Sequence, residues 1–247
     1  MCFLYRCCRY YNTLCGVNSV KGNLTGGNDC LGGVKTLKTC PALLLRFVPL
    51  FLAVPLLTTP VWAGDEVARI DAPVRLSSSF GVIGGKDTSA HVRISDFSRN
   101  KKSLVLVFLA NRCGVTWLYA DKIAALQKKY AANPGVAIIG VHSNSEESDG
   151  ELADELKKRG VGITVLDDKP RQEIANYFRA KVTPYFVVID KYGVLRFKGP
   201  LDKMGGSVAE SKRPQYLLPA LDAVLAGKPV ALKTVRALGC EITPRKR

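Results

Sequence analysis

The sequence predicts an α/β fold in which helices flank a mixed central β-sheet. Residues 104–109 and 136–141 are uninterrupted apolar runs, which are typical of strands covered on both faces, and 163–166 is a shorter strand. Helical segments alternate with these strands, which favours parallel pairing. Residues 185–190 and 194–198 are two further strands separated by a short turn, so they must be antiparallel neighbours. Parallel and antiparallel pairs together make the sheet mixed.

Four helices are predicted between and after the strands. The first is the clearest, because Ile123, Leu126 and Tyr130 share one of its faces. The third opens with Pro170, whose ring suits the first turn of a helix, and the fourth stops at Gly227. The tail after this glycine shows no period. The predicted helices cover, in order, residues 116–130, 146–159, 170–178 and about 213–226.

Composition places the chain among ordinary globular proteins. Of its 247 residues, 47% are apolar and 23% are charged, which excludes a wholly disordered, collagenous or coiled-coil chain. The 36 Lys and Arg residues against 21 Asp and Glu residues give a formal net charge of +15. The sequence has no compact basic block and no helix-turn-helix or RNA-binding signature. We therefore expect a solvated basic surface and no nucleic-acid partner.

An apolar segment near the start of the chain predicts export. Residues 47–63 carry no charge, follow several basic residues and end in Val61 and Ala63, which is the small-residue spacing that signal peptidase cleaves. We expect this secretory signal to be removed and the protein to be periplasmic or otherwise extracytoplasmic. The alternative is an uncleaved anchor, and only then would the protein contact a membrane.

This signal sets the expected domain boundaries. Residues 1–63 are an N-terminal extension and secretory signal, and residues 64–247 are a single domain with a tail from about residue 227. Residues 1–34 fit no known element, and we expect translation to start downstream of Met1.

The cysteines divide the chain into two parts. Six of the eight lie within the first 40 residues, where their spacing matches no zinc-ligand pattern. The two histidines, His91 and His142, are too isolated for a metal centre. We therefore expect no metal and no other cofactor. The mature domain contains only Cys113 and Cys240.

Cys113 lies between a buried strand and the start of a helix. A thiol in that place faces the unpaired amide groups and the positive end of the helix dipole, which favour the thiolate over the thiol. The neighbouring Arg112 adds positive charge. These features predict that Cys113 is a reactive nucleophile, and the alternative is an inert cysteine at the end of a strand.

Thr183 and Pro184 stand directly before the strand 185–190. Proline lacks a backbone donor, so it begins a strand or lies at its edge. A cis bond between Thr183 and Pro184 would turn the preceding backbone outward, where it could pair with an extended substrate.

Cys240 is the second thiol of the mature domain and lies in the tail. Thiol chemistry without a second cysteine nearby commonly needs a resolving cysteine from elsewhere, and a mobile tail can bring one. Cys240 is therefore a possible resolving cysteine. A free tail thiol and an intermolecular bridge are the alternatives.

Together these residues resemble the thioredoxin fold. Thioredoxins carry a Phe-Trp-Ala-x-Trp-Cys-Gly-Pro-Cys stretch after a central strand, and Phe108, Ala110, Cys113 and Gly114 stand at matching spacing. The cis-proline of thioredoxins corresponds to Pro184.

Other features are similar to the redoxins, the alkyl hydroperoxide reductase/thiol-specific antioxidant (peroxiredoxin-like) superfamily with its periplasmic disulfide-reductase relatives. The lead-in at residues 93–97 is similar, and so are the helix and strand inserted between Ser143 and Asp167. The resemblance covers about residues 70–226.

The resemblance implies an antioxidant-type thiol oxidoreductase with a thioredoxin fold. Cys113 would be the redox-active nucleophile on a protein disulfide or a peroxide, and an external thiol reductant would restore it. Thr183, Pro184 and Arg112 would bind the substrate. Thr116, which stands in the place of the second active-site cysteine, would offer its hydroxyl group to the thiolate.

Two departures from the family pattern leave a second function open. Because residue 116 is Thr, the chain has no CxxC dithiol. Peroxiredoxins carry Pro and Thr seven and three residues before the peroxidatic cysteine, where this sequence has Leu106 and Ala110. The alternative to an enzyme is a thioredoxin-fold binding module without turnover.

Overall fold

The computed structural model describes residues 67–84, 90–204, 209 and 212–245. The predicted extension and signal over 1–63 lie outside these residues. The strands that the structure describes are β1 (Ser79–Ile83), β2 (His91–Arg93), β3 (Ser103–Leu109), β4 (Val136–His142), β5 (Thr164–Asp167), β6 (Val182–Thr183), β7 (Tyr185–Asp190), β8 (Leu195–Gly199) and β9 (Cys240–Glu241). The helices are α1 (Ile94–Ser98), α2 (Gly114–Leu118), α3 (Ala120–Ala131), α4 (Asp149–Lys158), α5 (Glu173–Phe178) and α6 (Leu217–Leu225).

Seven of these strands form one mixed sheet in the order β2-β1-β5-β4-β3-β7-β8. The central strands β3, β4 and β5 are parallel neighbours, whereas β7 is antiparallel to both β3 and β8. Strands β6 and β9 pair with each other in a separate two-stranded sheet. The predicted α/β fold with a mixed sheet is confirmed.

The burial of β3 on both faces of the sheet explains its uninterrupted run of apolar residues. Every residue of it is buried, and alternate side chains enter two different hydrophobic clusters. Val105, Val107 and Leu109 pack on the face covered by α3, α4 and α6, while Leu104 and Phe108 pack with α5 on the other face. A strand covered on both faces needs an uninterrupted apolar run.

Within the described ranges, no helix combines the length and the apolar character that a membrane crossing requires.

Two helices differ from the sequence prediction at their boundaries. The predicted helix 116–130 is two helices, α2 and α3, which meet at Tyr119. The predicted helix over 170–178 begins at Glu173, so Pro170 precedes the helix. Gln172 has a φ of 53°, a left-handed conformation that breaks the helical path before α5.

The remaining helices also begin later than predicted. Helix α4 starts at Asp149 because the Ser148 hydroxyl accepts the Glu151 amide at 3.4 Å and so caps its first turn. Helix α6 starts at Leu217, since Gln215 still pairs with Asp202 as an isolated bridge. The tail, for which no element is predicted, contains β9.

Candidate active site

Cys113 is the N-cap residue of α2, and a short loop connects it to the end of β3. Its side chain is buried, with the residue 1% exposed. The sulfur accepts a hydrogen bond from the backbone amide of Thr116 at 3.3 Å, and the thiol can donate to the carbonyl oxygen of Thr183 at 3.1 Å. The predicted position of this thiol at a helix N-terminus is therefore observed.

The peptide bond between Thr183 and Pro184 is cis. Both residues are buried, and the bond joins the short strand β6 to β7. Because β7 pairs with β3 up to Phe108, this bend carries the backbone of Thr183 to the end of β3, where Cys113 lies.

The tail brings Cys240 to the same place. Strand β9 pairs antiparallel with β6, and in this register Cys240 stands opposite Thr183. Gly239 passes so close to Thr183 that a Cβ atom at this position would overlap the carbonyl oxygen of Thr183. Cys113 and Cys240 are both free thiols in the structure, and they lie close enough for each to change the pKa of the other.

The pKa values of the two thiols are shifted in opposite directions. Burial tends to raise the pKa of Cys113, but hydrogen bonds from Cys240, Thr116 and Thr183 outweigh it and hold this pKa below its ordinary value. Burial and the neighbouring Cys113 raise the pKa of Cys240, although the amides of Val115 and Gly114 act in the other direction. Cys113 is therefore the group that ionises first, and Cys240 stays a thiol beside it.

Two buried hydroxyl groups adjoin the thiol. The side-chain oxygens of Thr116 and Thr183 make no hydrogen bond of good geometry to any other described residue, although both residues are almost fully buried. A hydroxyl proton rotates freely, so each can turn towards a thiolate at Cys113, and this is how both lower its pKa.

Glu147 anchors the loop that carries the nucleophile. Its carboxylate accepts hydrogen bonds from the backbone amides of Asn111 and Arg112, the second at 3.2 Å. The Asn144 side chain donates to it at 3.1 Å, and His142 Nε2 lies 3.2 Å away. No sequence motif indicates Glu147, but this residue follows β4 at the same sheet edge as Cys113, where functional groups of parallel sheets gather.

The end of the tail is held by two buried amide side chains. Asn144 Oδ1 accepts the Thr243 amide at 2.6 Å. Gln172 donates to the Thr243 carbonyl at 2.7 Å and accepts the Arg245 amide at 2.8 Å. Gln172 also donates to the Ser143 carbonyl at 2.6 Å, which fixes its orientation. We call Asn144 and Gln172 the tail clamp; neither was singled out from the sequence.

The structure thus assembles most of the residues that the sequence singled out. Cys113, Thr116, Thr183, Pro184 and Cys240 meet at one end of the sheet, whereas the side chain of Arg112 is exposed and only its backbone joins the hydrogen bonds of the loop.

The fold and this arrangement define a thioredoxin-fold protein with a cysteine at the N-terminus of α2, after the buried strand β3. The chain belongs to the AhpC/TSA family, which its residues 72–198 match. Membership of this family indicates a redox role.

The first two of three similar solved structures agree with this fold. A hypothetical protein from Sinorhizobium meliloti is 27% identical, with a TM-score of 0.58 over 71% of this chain and 93% of that one. An uncharacterized conserved protein from Geobacillus kaustophilus is 24% identical, with a TM-score of 0.60 over 73% and 96% of the two chains. A secreted disulfide oxidoreductase from Mycobacterium tuberculosis is 18% identical, with a TM-score of 0.43 over 61% and 95%. Among curated proteins, none matches the chain.

Proposed function

We propose that this protein is an extracytoplasmic thiol oxidoreductase in which Cys113 attacks a disulfide or peroxide and Cys240 resolves the product. The observation that carries this proposal is the pairing of β9 with β6, which sets Cys240 beside Cys113. In this protein the tail supplies the second thiol that position 116 lacks. The difference in acidity supports the order of events, because the thiolate is the attacking form.

With a disulfide substrate, two exchanges complete the reaction. The Cys113 thiolate attacks one sulfur, so that the substrate S–S bond breaks and one substrate sulfur leaves as a thiolate. The Cys240 thiol then loses its proton and attacks Cys113, which releases the second substrate sulfur and forms a Cys113–Cys240 disulfide. The substrate gains two electrons, and an external thiol reductant supplies the two electrons that reduce the Cys113–Cys240 disulfide.

With a peroxide, the same two cysteines exchange the same number of electrons. The thiolate attacks one oxygen, the O–O bond breaks, and the leaving oxygen takes a proton to become an alcohol or water. Cys113 is left as a sulfenic acid, which Cys240 converts to the disulfide with loss of water. Leu106 and Ala110 are buried apolar residues, so they contribute no hydroxyl group to this step.

The surrounding residues have supporting roles in this proposal. Thr116 stabilises the thiolate through its backbone amide and its hydroxyl group. The backbone at Thr183 and Pro184 borders the thiol and contacts the reacting atoms of the substrate beside the docked tail, and Arg112 offers positive charge at the exposed rim. The extracytoplasmic location rests on the charge-free segment 47–63 and its small-residue end.

Single-turnover kinetics with the full chain test the assignment of the two cysteines. After one equivalent of hydrogen peroxide or a small disulfide, peptide mapping by mass spectrometry should find the Cys113–Cys240 disulfide. Cys240→Ser should keep the rate of the first attack and lose rapid further turnover, with sulfenic acid or a mixed disulfide trapped at Cys113. Cys113→Ser, which is nearly isosteric, should fold and show no first turnover.

Two results would count against this function. A first turnover that is unchanged in Cys113→Ser would remove Cys113 as the nucleophile. No turnover in the unmutated protein with either oxidant, with both thiols free at the start, would favour a binding module without chemistry.

A further inference from the structure

The tail lies along β6 in the way that an added peptide strand would. Strand β6 pairs with no strand other than β9 among the described residues. Beyond that ladder, the Ile242 amide donates to the Lys181 carbonyl at 2.9 Å, and the Ile242 side chain is buried in the hydrophobic cluster below the sheet. An exposed strand edge commonly binds an extended peptide by such backbone hydrogen bonds.

The tail clamp recognises the backbone of the tail rather than its side chains. The backbone amide and carbonyl of Thr243 and the backbone amide of Arg245 form hydrogen bonds with the side chains of Asn144 and Gln172. Backbone groups are common to all peptides, so an extended segment of another protein would need the same partners along β6. The docked tail and a polypeptide substrate therefore compete for one place.

We propose that Asn144 and Gln172 are specificity-determining residues: by holding residues 240–245 on β6 they exclude polypeptide disulfides and leave Cys113 to oxidants of a few atoms. This inference rests on the proposed function. A polypeptide must occupy the β6 edge to bring its sulfur to Cys113. A hydroperoxide or a low-molecular-weight disulfide does not need to pair with the edge of β6. Small movements of the tail are enough for it to reach the thiol.

The part of the tail that pairs with β6 is short, which makes such movements accessible. Strands β6 and β9 pair over only two residues each, and the flanking Gly239 and Leu238 are exposed. Segments with few buried contacts open at a much lower free energy than the whole domain. Ile242 is the buried apolar residue that anchors this segment, and it is not one of the groups that react with the oxidant.

Two variants release the tail by different means. Gln172→Glu keeps the size of the side chain but replaces the donor to Thr243 with a second acceptor, which repels the carbonyl oxygen. Ile242→Asp places a charge in an apolar cluster and expels the anchor. Leu238→Asp is the matched control, since this residue lies on the same tail but is 56% exposed.

The first measurement is the rate of Cys113 oxidation by insulin disulfides, by a low-molecular-weight disulfide and by hydrogen peroxide. Gln172→Glu and Ile242→Asp should raise the ratio of the insulin rate to each small-oxidant rate by roughly tenfold or more. Leu238→Asp should leave both ratios unchanged. If the unmutated protein reacts with insulin as fast as with the small disulfide, or if all rates rise in parallel in the two variants, the proposal is wrong.

A second measurement does not depend on turnover. In a Cys240→Ser background, iodoacetamide and a polyethylene-glycol maleimide compete for Cys113, and mass spectrometry of its peptide reports the ratio. Releasing the tail should raise labelling by the bulky reagent selectively. Selective labelling in a protein that consumes no oxidant would support the proposed role of the tail clamp and contradict the proposed function. Equal labelling by both reagents in the docked and released forms would contradict the proposed role of the tail clamp.

Discussion

At Cys113, burial and hydrogen bonding act on the same thiol in opposite directions. Removing a thiolate from water raises its pKa, whereas donors that point at the sulfur lower it. Four donor groups outweigh burial here: the side chains of Thr116, Thr183 and Cys240 and the backbone amide of Thr116. The buried and otherwise unpartnered hydroxyl of Thr116 has a clear use in this balance, because it is satisfied when the thiolate forms.

Thr116→Val should raise the pKa of Cys113. Valine has nearly the same shape and keeps the backbone amide, so the change removes only the hydroxyl donor. The rate of iodoacetamide modification of Cys113, followed against pH, should reach half its maximum at a higher pH than in the unmutated protein. Thr116→Ser keeps the hydroxyl and should leave the midpoint in place. A lower midpoint in Thr116→Val would mean that the hydroxyl group does not stabilise the thiolate.

At the scale of elements, the start of α5 depends on an acid outside the helix. The carboxylate of Asp168 accepts the amides of Ile174 and Ala175 at 2.8 and 3.0 Å, and the hydroxyl group of Ser143 at 2.7 Å. Burial raises the pKa of Asp168 from 3.8 to about 6, although these three donors act to lower it. An acid with a higher pKa in the folded chain binds more protons when folded.

The contribution of Asp168 to folding stability should therefore fall as the pH rises from about 4 to about 6. The raised pKa of Asp168 corresponds to about 3 kcal/mol over this range. Asp168→Asn cannot ionise, so urea unfolding at several pH values should show that the stability of the unmutated protein falls relative to that of the variant over this range. Both proteins share all other titrating groups, and the difference between them isolates Asp168. An identical slope in both proteins would refute the raised pKa.

The elements differ in how well their own residues predict them. The apolar runs of β3 and β4 predict both strands, because every residue of β3 and five of the seven residues of β4 are buried. The sequence predicts the start of α5 three residues too early, since the left-handed φ of Gln172 and the cap from Asp168 depend on tertiary contacts. The two residues of β9 are too few for a pattern, and only their partner strand makes them a strand.

At the scale of the whole molecule, residue type decides which parts of the site could be foreseen. A cysteine between a buried strand and a helix is seldom placed there for packing, and the Thr-Pro pair before a strand matches the thioredoxin pattern, so Cys113 and Pro184 are identifiable from the sequence. Glu147, Asn144 and Gln172 are ordinary loop residues in the sequence. Their partners lie far along the chain, as in the bond from Thr243 to Asn144 across 99 positions, and only the fold brings them together.

The exported form of the protein should begin near Gly64. Signal peptidase requires small residues before the cleaved bond, and Val61 and Ala63 supply them. N-terminal sequencing of protein from the extracytoplasmic fraction should therefore start at or close to Gly64. Val61→Asp should block cleavage, while Val61→Ala should permit it. An exported protein that keeps the cysteine-rich start would exclude this processing.

Gly239 restricts the sequences in which a tail cysteine can reach this site. Any side chain there would overlap the Thr183 carbonyl oxygen, so the residue before Cys240 must be glycine if β9 is to pair with β6 in this register. A thioredoxin-fold sequence that combines one cysteine after its central strand with a Thr-Pro pair and a Gly-Cys pair beyond its last helix therefore carries a searchable pattern. Genomes can be scanned for this pattern to find proteins that draw their second thiol from the tail.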